Sequence, residues 1–203
     1  MVSSMPHENL HYPYRRHYRN HNGVPVEFEY IRRIYVDKLL FLCRNTASES
    51  LCVKFTKKYS ATAHRHCAAS GVAPEVHAVE DPPGGWIMVV MEYLDDENYQ
   101  RLRSSDIDRA VLAEDMRRVI DVLHGGGFVH GDIRDVNAMV RRTWRTGEEN
   151  VLLVDFDWAG EQGTARCPPN VNRAEIFRPG GAIDGEPITR ELDIEMVRHM
   201  VGE

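Results

Sequence analysis

Three side chains in the second half of the chain have the types and the spacing that phosphoryl transfer requires. Asp132 is followed five residues later by Asn137, and 18 residues after that amide Asp155 closes an apolar segment, VLLVD. Catalysis of phosphoryl transfer depends mainly on orienting the nucleophile and on neutralising phosphate charge with Mg²⁺. Carboxylate and amide oxygens are the hard ligands that this ion prefers. The pattern therefore indicates an acid beside a hydroxyl nucleophile and two oxygen ligands for magnesium.

The residues around these three side chains, HGDIRDVN and further on VDFD, resemble the catalytic loop and the metal-binding segment of the protein-kinase-like superfamily. The resemblance implies that Asp132 accepts or orients the proton of a substrate hydroxyl. It also implies that Asn137 and Asp155 hold Mg²⁺. Arg134 is then expected where a cation steadies the γ-phosphate, and His130 is expected to brace the loop.

Two upstream segments resemble the nucleotide-binding strands of the same superfamily. The segment LCVK is similar to the Val-Ala-Ile-Lys strand of kinases, which would aim Lys54 at the α- and β-phosphates of ATP. The segment VVMEYL is similar to the kinase hinge, where adenine binds to the backbone. The resemblance makes Met91 the gatekeeper and places the Glu92 carbonyl and the Leu94 amide on the adenine edge. Cys52 would contact the adenine face.

Some features depart from the pattern of the typical protein kinases. No glycine lies between Gly23 and Gly71, so a glycine-rich loop over the phosphates is missing. The segment 59–70, expected to be the helix next to the lysine strand, has no acidic residue to pair with Lys54. Three alternatives remain for Lys54: it pairs with an acid from a different element, it pairs with Asp155, or it has no partner. We expect the pairing with Asp155, since an unpaired ammonium in a partly desolvated cleft is costly.

Other departures point away from the signalling kinases. Gly131 stands where those enzymes have the loop arginine that senses a phosphorylated activation loop, so switching by phosphorylation is not expected. The HGD and DFD motifs are more similar to the aminoglycoside and choline kinases and to other atypical kinases. The run DFDWAGEQGTARCPPNVNR also resembles kinase-like proteins of fungal genomes. The chain ends at Glu203, soon after Asp193, which resembles the acid that braces the catalytic loop, so we expect a shortened C-lobe.

The pattern of apolar residues predicts an α+β fold with two lobes. Five β-rich segments are expected to form a small antiparallel sheet with one helix: VEFEYIRRIYV, KLLFLCR, SLCVKF, VAPEVHAVE and GGWIMVVMEYL. The division is expected to be a flexible arm over 1–25, a kinase-like N-lobe and hinge over 26–94, and a mainly helical C-lobe over 95–203.

The helices of the expected C-lobe follow from helical periodicity. The segment 106–124 places on one face Val111, Leu112, Met116, Val119, Ile120 and Leu123. The glycines after it end the helix. The final segment, EPITRELDIEMVRHMV, predicts another amphipathic helix, and the connection RRTWRTGEEN predicts a hairpin between two short strands.

Composition limits the remaining functions. The 203 residues carry a formal charge of −6, which argues against nucleic acid and anionic membranes as partners. The polar N-terminus and the short apolar runs predict neither a signal peptide nor a membrane helix. The four cysteines show no metal-ligand spacing, which indicates reduced thiols and a cytoplasmic or nuclear protein.

Three functions are compatible with these residues. The first is an ATP- and Mg²⁺-dependent phosphotransferase whose hydroxyl acceptor is a protein Ser or Thr or a small alcohol. The second is a pseudokinase, a module that binds nucleotide or a partner and transfers nothing. The third is metal-dependent hydrolysis by His130 with Asp132, Asp155 and Asp157, although no His-x-x-x-His spacing supports transition-metal chemistry.

Overall fold

The computed structural model describes residues 12–105, 107–143 and 150–202. These residues form two compact units. The first unit contains the described residues up to Phe55 and also His77–Tyr93, and the second contains Thr56–Val76 and the residues from Leu94 onwards. Residues 1–11 of the expected arm, Asp106 of the expected helix and residues 144–149 of the expected hairpin lie outside the described residues.

A six-stranded sheet in the order β1-β2-β3-β4-β6-β5 forms the first unit. Its strands are β1 His17–Arg19, β2 Pro25–Arg33, β3 Leu40–Asn45, β4 Ser50–Thr56, β5 Val76–Glu80 and β6 Ile87–Glu92. The pairs β1–β2, β2–β3 and β3–β4 are antiparallel, and Leu42 lies opposite Cys52 in the last of them. All five strands expected from the sequence are present, and β1 is an addition to them.

One face of this sheet carries an aromatic core. Phe41 and Val53 are completely buried, and Phe41 packs edge-to-face on Tyr30 with ring centroids 5.0 Å apart. Because strand side chains alternate between faces, Phe41 and Cys43 of β3 share this core with Leu51 and Val53 of β4.

Residues 12–25, the described part of the arm expected over 1–25, pack against the sheet. Tyr18 of β1 is only 5% exposed, and the Tyr12 ring stacks on Tyr30 at 5.3 Å. Arg15 forms an ion pair with Glu80 of β5. Burial of these aromatic rings and strand pairing hold residues 12–25 on the sheet, an interaction that a polar stretch without periodicity does not reveal.

Three helices and two small sheets form the described part of the second unit. The helices are α1 Ala61–Ala69, α2 Arg109–Gly125 and α3 Arg190–Val201. Strands β7 Tyr99–Arg101, β9 Ala138–Arg141 and β10 Val151–Leu153 form a sheet in the order β10-β9-β7, and β8 Phe128–Val129 pairs with β11 Gly160–Glu161. Strand β7 lies in a polar stretch for which the sequence predicted no strand.

Helix α1 belongs to the second unit, whereas the sequence placed it in a lobe over 26–94. Ala63 and Cys67 on its apolar face join the core that includes Val119 and Leu123 of α2. The His66 ring nitrogen Nε2 lies 2.8 Å from the carbonyl oxygen of Val122. The helix contacts α2, which is distant in sequence, so its position depends on tertiary packing.

Side-chain caps start all three helices. Ser60 accepts a hydrogen bond from Ala63 N, Asp108 from Ala110 N, and Thr189 from Leu192 N.

On α2 the expected apolar face is buried except for Val111, which is 42% exposed. Val111 lies about 100° around the helix from its neighbour Leu112, which is buried in the core, so Val111 falls outside the buried face. Among the described residues, no helix has both the length and the hydropathy that crossing a membrane requires.

Candidate active site

The loop between β8 and β9, residues 130–137, carries the predicted chemistry, and α3 holds its start. The carboxylate of Asp193 is completely buried and accepts hydrogen bonds from the backbone amides of His130, at 2.8 Å, and Gly131, at 2.7 Å. The ring nitrogen Nε2 of His124 lies 3.2 Å from the same carboxylate. Asp193 thus orients the peptide units immediately before Asp132. His124, at the end of α2, was not predicted from the sequence.

His130 lies inside the fold and contacts both segments that carry the predicted chemistry. Its Nδ1 accepts from the backbone amide of Asp132 at 3.2 Å, so Nε2 carries the proton in the neutral ring and donates to the Val154 carbonyl, also at 3.2 Å. The ring also packs edge-to-face on Phe156. His130 therefore links the loop to the residues on either side of Asp155.

Gly131 is required at its position by backbone geometry. Its φ is +78°, and a Cβ built there would lie 2.6 Å from Cδ1 of Ile188. Only glycine adopts such a backbone without strain. The arginine of typical kinases is thus replaced by a residue that lets Ile188 pack against the loop.

Asp132 is surrounded by three donor side chains. Its Oδ1 accepts from Arg134 Nε at 2.7 Å and forms an ion pair with Arg178 Nη2, also at 2.7 Å. Its Oδ2 accepts from Arg134 Nη2 at 2.9 Å and from Asn137 Nδ2 at 2.7 Å. Arg134 therefore binds the carboxylate in a bidentate manner, through both oxygens, which is the strongest form of an arginine–carboxylate pair.

Arg178 is a second residue of this site, after His124, that sequence reasoning missed. It lies between β11 and α3, and its side chain is only 3% exposed. Its guanidinium lies over the Trp158 ring, 4.5 Å from the centroid. No motif of the sequence marks Arg178, because the contact depends on how the segment before α3 folds back onto the loop.

Asn137 and Asp155 have the chemistry of a magnesium site. The Asn137 amide nitrogen donates to the Asp132 carbonyl at 2.9 Å and to Asp132 Oδ2, which fixes the amide and leaves its oxygen as the available ligand atom. The backbone amide of Val154 donates to the backbone carbonyl of Asn137 at 2.9 Å, so Asp155 follows directly after a residue that is paired with Asn137. Asp155 itself has a φ of +69°. Two hard oxygen donors from adjacent segments fit Mg²⁺.

The third function considered was metal-dependent hydrolysis at a cluster of His and Asp residues, and the described ranges do not contain such a cluster. There, no group of three or more His, Cys, Asp and Glu side chains is placed to hold a metal ion.

In the first unit, three of the predicted nucleotide-binding side chains share one face of the sheet. Cys52 and Lys54 alternate with the core residues of β4, and Met91 does so on the neighbouring β6, so all three lie opposite the aromatic core. All three are buried. Burial raises the pKa of the Cys52 thiol to about 12, while the nearby Lys54 charge acts in the opposite direction.

The other two residues expected at the hinge lie at the end of β6 and in the segment after it. Glu92 is the last residue of β6 and is exposed, and Leu94 is half-buried and belongs to the second unit. Lys54 and Asp155 also belong to different units, and their pairing stays a prediction.

A cavity of about 350 Å³ lies beside the loop in the second unit. Arg134 lines it together with charged and apolar side chains of the loop, of residues 175–177 and of α3. Phe177, next to Arg178, stacks on His199 with centroids 3.8 Å apart.

The comparisons with known proteins concern the fold. No protein-family model matches this chain, and no curated protein matches it by sequence. The solved structure of the Cydia pomonella granulovirus kinase PK-1 is similar, with a TM-score of 0.66 and 14% identity over 87% of this chain and 67% of that chain. Vaccinia related kinase 3 is similar with a TM-score of 0.63 and 14% identity over 96% of this chain and 72% of that chain. The chain therefore has an α+β protein-kinase-like fold.

Proposed function

We propose that the protein is an ATP- and Mg²⁺-dependent phosphotransferase that transfers the γ-phosphate to a hydroxyl acceptor. The observation that carries the proposal is the hydrogen bonding of Asn137. Its side-chain nitrogen donates to the backbone carbonyl and to the carboxylate of Asp132, and its backbone carbonyl accepts from the backbone amide of Val154. This arrangement connects the proposed base with the proposed metal ligands, as phosphoryl transfer requires.

In the proposed reaction Asp132 takes the proton of the acceptor hydroxyl. The acceptor oxygen forms a bond to the γ-phosphorus as the bond to the β,γ-bridging oxygen breaks, and ADP leaves with that electron pair. Arg134, which is 25% exposed in its side chain, is the proposed cation for charge on the transferred group. His130 is proposed to act indirectly, by positioning Asp132.

Mg²⁺ would be held by Asn137 and Asp155, and when bound it would neutralise phosphate charge. ATP would contact Lys54 through its phosphates and Cys52 and Met91 through adenine. Support for this assignment comes from the shared face of the latter three side chains. The backbone of Glu92 and Leu94 completes the proposed adenine site.

The acceptor is proposed to be a protein Ser or Thr or a small alcohol. We also propose a cytoplasmic or nuclear location, which the four free and buried cysteines support.

The test is nucleotide binding followed by transfer. A ligand at a hundred times its Kd stabilises a protein by about 2.7 kcal/mol. That gain raises the melting temperature of a chain of this size by about 5–10 °C. We expect such a shift with ATP and Mg²⁺ together and a smaller one with ATP alone. Transfer of the γ-phosphate is then measured with labelled ATP and a panel of proteins and small alcohols.

A second candidate is a pseudokinase that binds nucleotide or a partner without transfer. It is favoured by the contacts of Asp132, whose carboxylate is occupied by two arginines and Asn137. The missing glycine-rich loop and the absence of an acid in 59–70 also favour it. Binding of MgATP with no transfer to any acceptor and no release of phosphate would support this candidate. Absence of MgATP binding would contradict both the phosphotransferase and a pseudokinase that binds nucleotide.

A further inference from the structure

We infer that Arg178 occupies the position on Asp132 that an acceptor hydroxyl needs, so that Arg178 must leave before transfer. Arg178 would then control the access of the acceptor to the base. The inference rests on the proposed function for its consequence, but the occupancy of Asp132 is tested separately below.

The first argument is the number of acceptor positions on the carboxylate. An ionised carboxylate offers about four lone-pair positions on its two oxygens. In the structure Oδ1 accepts a hydrogen bond from Arg134 and is covered on its other side by Nη2 of Arg178 at 2.7 Å, while Oδ2 accepts from Arg134 and Asn137. A hydroxyl that donates its proton to Asp132 needs one of these positions. One of the three donors therefore has to withdraw.

The second argument identifies the donor that withdraws. Arg134 and Asn137 belong to the same loop as Asp132, and Asn137 also donates to the Asp132 backbone, so these two donors move with the base. Arg178 comes from a segment 47 residues away from Gly131 in sequence, in the stretch between β11 and α3. A shift of that segment removes Arg178 from Asp132 without disturbing the loop.

The third argument is that the guanidinium of Arg178 is incompletely satisfied. Its Nε is buried and has no hydrogen-bond partner. Its Nη1 reaches the Gly131 carbonyl only at 3.4 Å, and Met196 Sδ at 3.9 Å. Arg178 also shares a single carboxylate oxygen with a second cation, Arg134. Like charges at this separation repel each other. Arg178 therefore contacts Asp132 through one nitrogen, whereas Arg134 contacts it through two.

The test combines labelling of Asp132 with transfer kinetics in Arg178→Gln. Carboxyl groups are labelled with a water-soluble carbodiimide and glycine ethyl ester, and the rate at Asp132 is read by peptide mass spectrometry. Loss of one close charged contact to a carboxylate corresponds to a change on the order of tenfold. We expect the labelling of Asp132 to rise by about that factor, and the KM for the acceptor to fall in the same variant.

The matched control is Arg173→Gln. Arg173 lies on the same segment and pairs with Asp184 at 2.8 Å, away from Asp132, so this variant loosens the segment without removing the inferred block. We expect wild-type labelling of Asp132 and wild-type kinetics. Arg178→Lys, which keeps the charge but loses the planar fork, should give labelling between the wild type and Arg178→Gln, and it carries the test if the Gln variant does not fold.

Wild-type labelling of Asp132 in the folded Arg178 variants would overturn the inference. Faster labelling with a lower kcat and an unchanged KM would also overturn it, because Arg178 would then assist transfer. Equal increases in Arg173→Gln and Arg178→Gln would attribute the effect to a loosened segment and overturn it as well. Faster labelling in the Arg178 variants alone, with no transfer by any form of the protein, would support the occupancy and refute the proposed phosphotransferase.

Discussion

At the residue scale, the candidate site is defined by which donors each carboxylate receives. Asp193 accepts hydrogen bonds from two backbone amides and contacts a histidine, whereas Asp132 accepts from Arg134 and Asn137 and forms an ion pair with Arg178. The first pattern fixes a loop, and the second surrounds a proposed base. The two acids therefore predict different consequences of substitution.

For Asp193 we expect loss of stability. Asp193→Ala leaves the buried amides of His130 and Gly131 without acceptors, and each such group costs about 1–3 kcal/mol. Urea denaturation should show a decrease of about 3–5 kcal/mol in the free energy of unfolding. The control is Glu195→Ala on the exposed side of the same helix, which should change it by less than about 0.5 kcal/mol. A small effect of Asp193→Ala would show that α3 does not hold the loop.

For Asp132 we expect loss of turnover in Asp132→Asn with binding of MgATP retained. A general base contributes on the order of a hundred- to ten-thousandfold in rate. Calorimetry measures the affinity, and labelled ATP measures the transfer. Turnover equal to that of the wild type would rule out the role of base.

Asp155 tests the metal assignment. We expect Asp155→Asn to lose the Mg²⁺-dependent part of ATP binding, because a neutral amide is a poorer ligand for a hard cation. Asn is chosen because it tolerates the left-handed backbone of this position better than Ala. The comparison is Asp184→Asn, an exposed aspartate paired with Arg173. Calorimetry measures the affinity of both variants for ATP with and without Mg²⁺. The same dependence of ATP affinity on Mg²⁺ in both variants would contradict the assignment of Asp155 as a metal ligand.

At the element scale, α2 shows how periodicity and burial differ. The helical pattern placed Val111 and Met116 on the same face, but only Met116 is completely buried. Leu112, next to Val111 in the same first turn, is buried in the core, so it is the direction of the Val111 side chain that keeps it exposed. Periodicity identifies the face of a helix, whereas the extent of burial along that face depends on what packs against it.

These two residues give the prediction for α2. Met116→Ala should lower the free energy of unfolding by about 2–5 kcal/mol, since it leaves a cavity in the core. Val111→Ala should change it by less than about 0.5 kcal/mol, because alanine has the higher helix propensity and little buried area is lost. Urea denaturation of both variants is the measurement. A large cost at Val111 would mean that this face is covered in the protein.

At the scale of the whole molecule, the four cysteines report on both units. Burial raises the pKa of every thiol above the ordinary value of 9.0, to about 12 for Cys52 and Cys67. Cys43 and Cys52 belong to the first unit, and Cys67 and Cys167 to the second. The state of all four thiols therefore measures how well both cores exclude water.

We expect the native thiols to resist a disulfide reagent at pH 8 and all four to react in guanidinium chloride. The same burial gives a pH dependence. Unfolded thiols release protons near pH 9.0, whereas the folded thiols of Cys52 and Cys67 hold them up to about pH 12, so stability is full below pH 9.0 and falls as the pH rises towards 12. Urea midpoints at pH 7, 9 and 10.5 measure this fall, and midpoints that stay constant would contradict the burial.

The sequence by itself determined five of the six strands of the large sheet, the three α-helices and the motifs around Asp132 and Asp155, because these depend on local periodicity and on residue spacing. The protein-kinase-like fold expected from those motifs was confirmed by similar solved structures. Tertiary structure decided the placement of α1 with α2, the packing of residues 12–25 on the sheet and the pairing of Arg178 with Asp132. These features join segments far apart in the chain, and their energy comes from burial and charge pairing that no local pattern encodes.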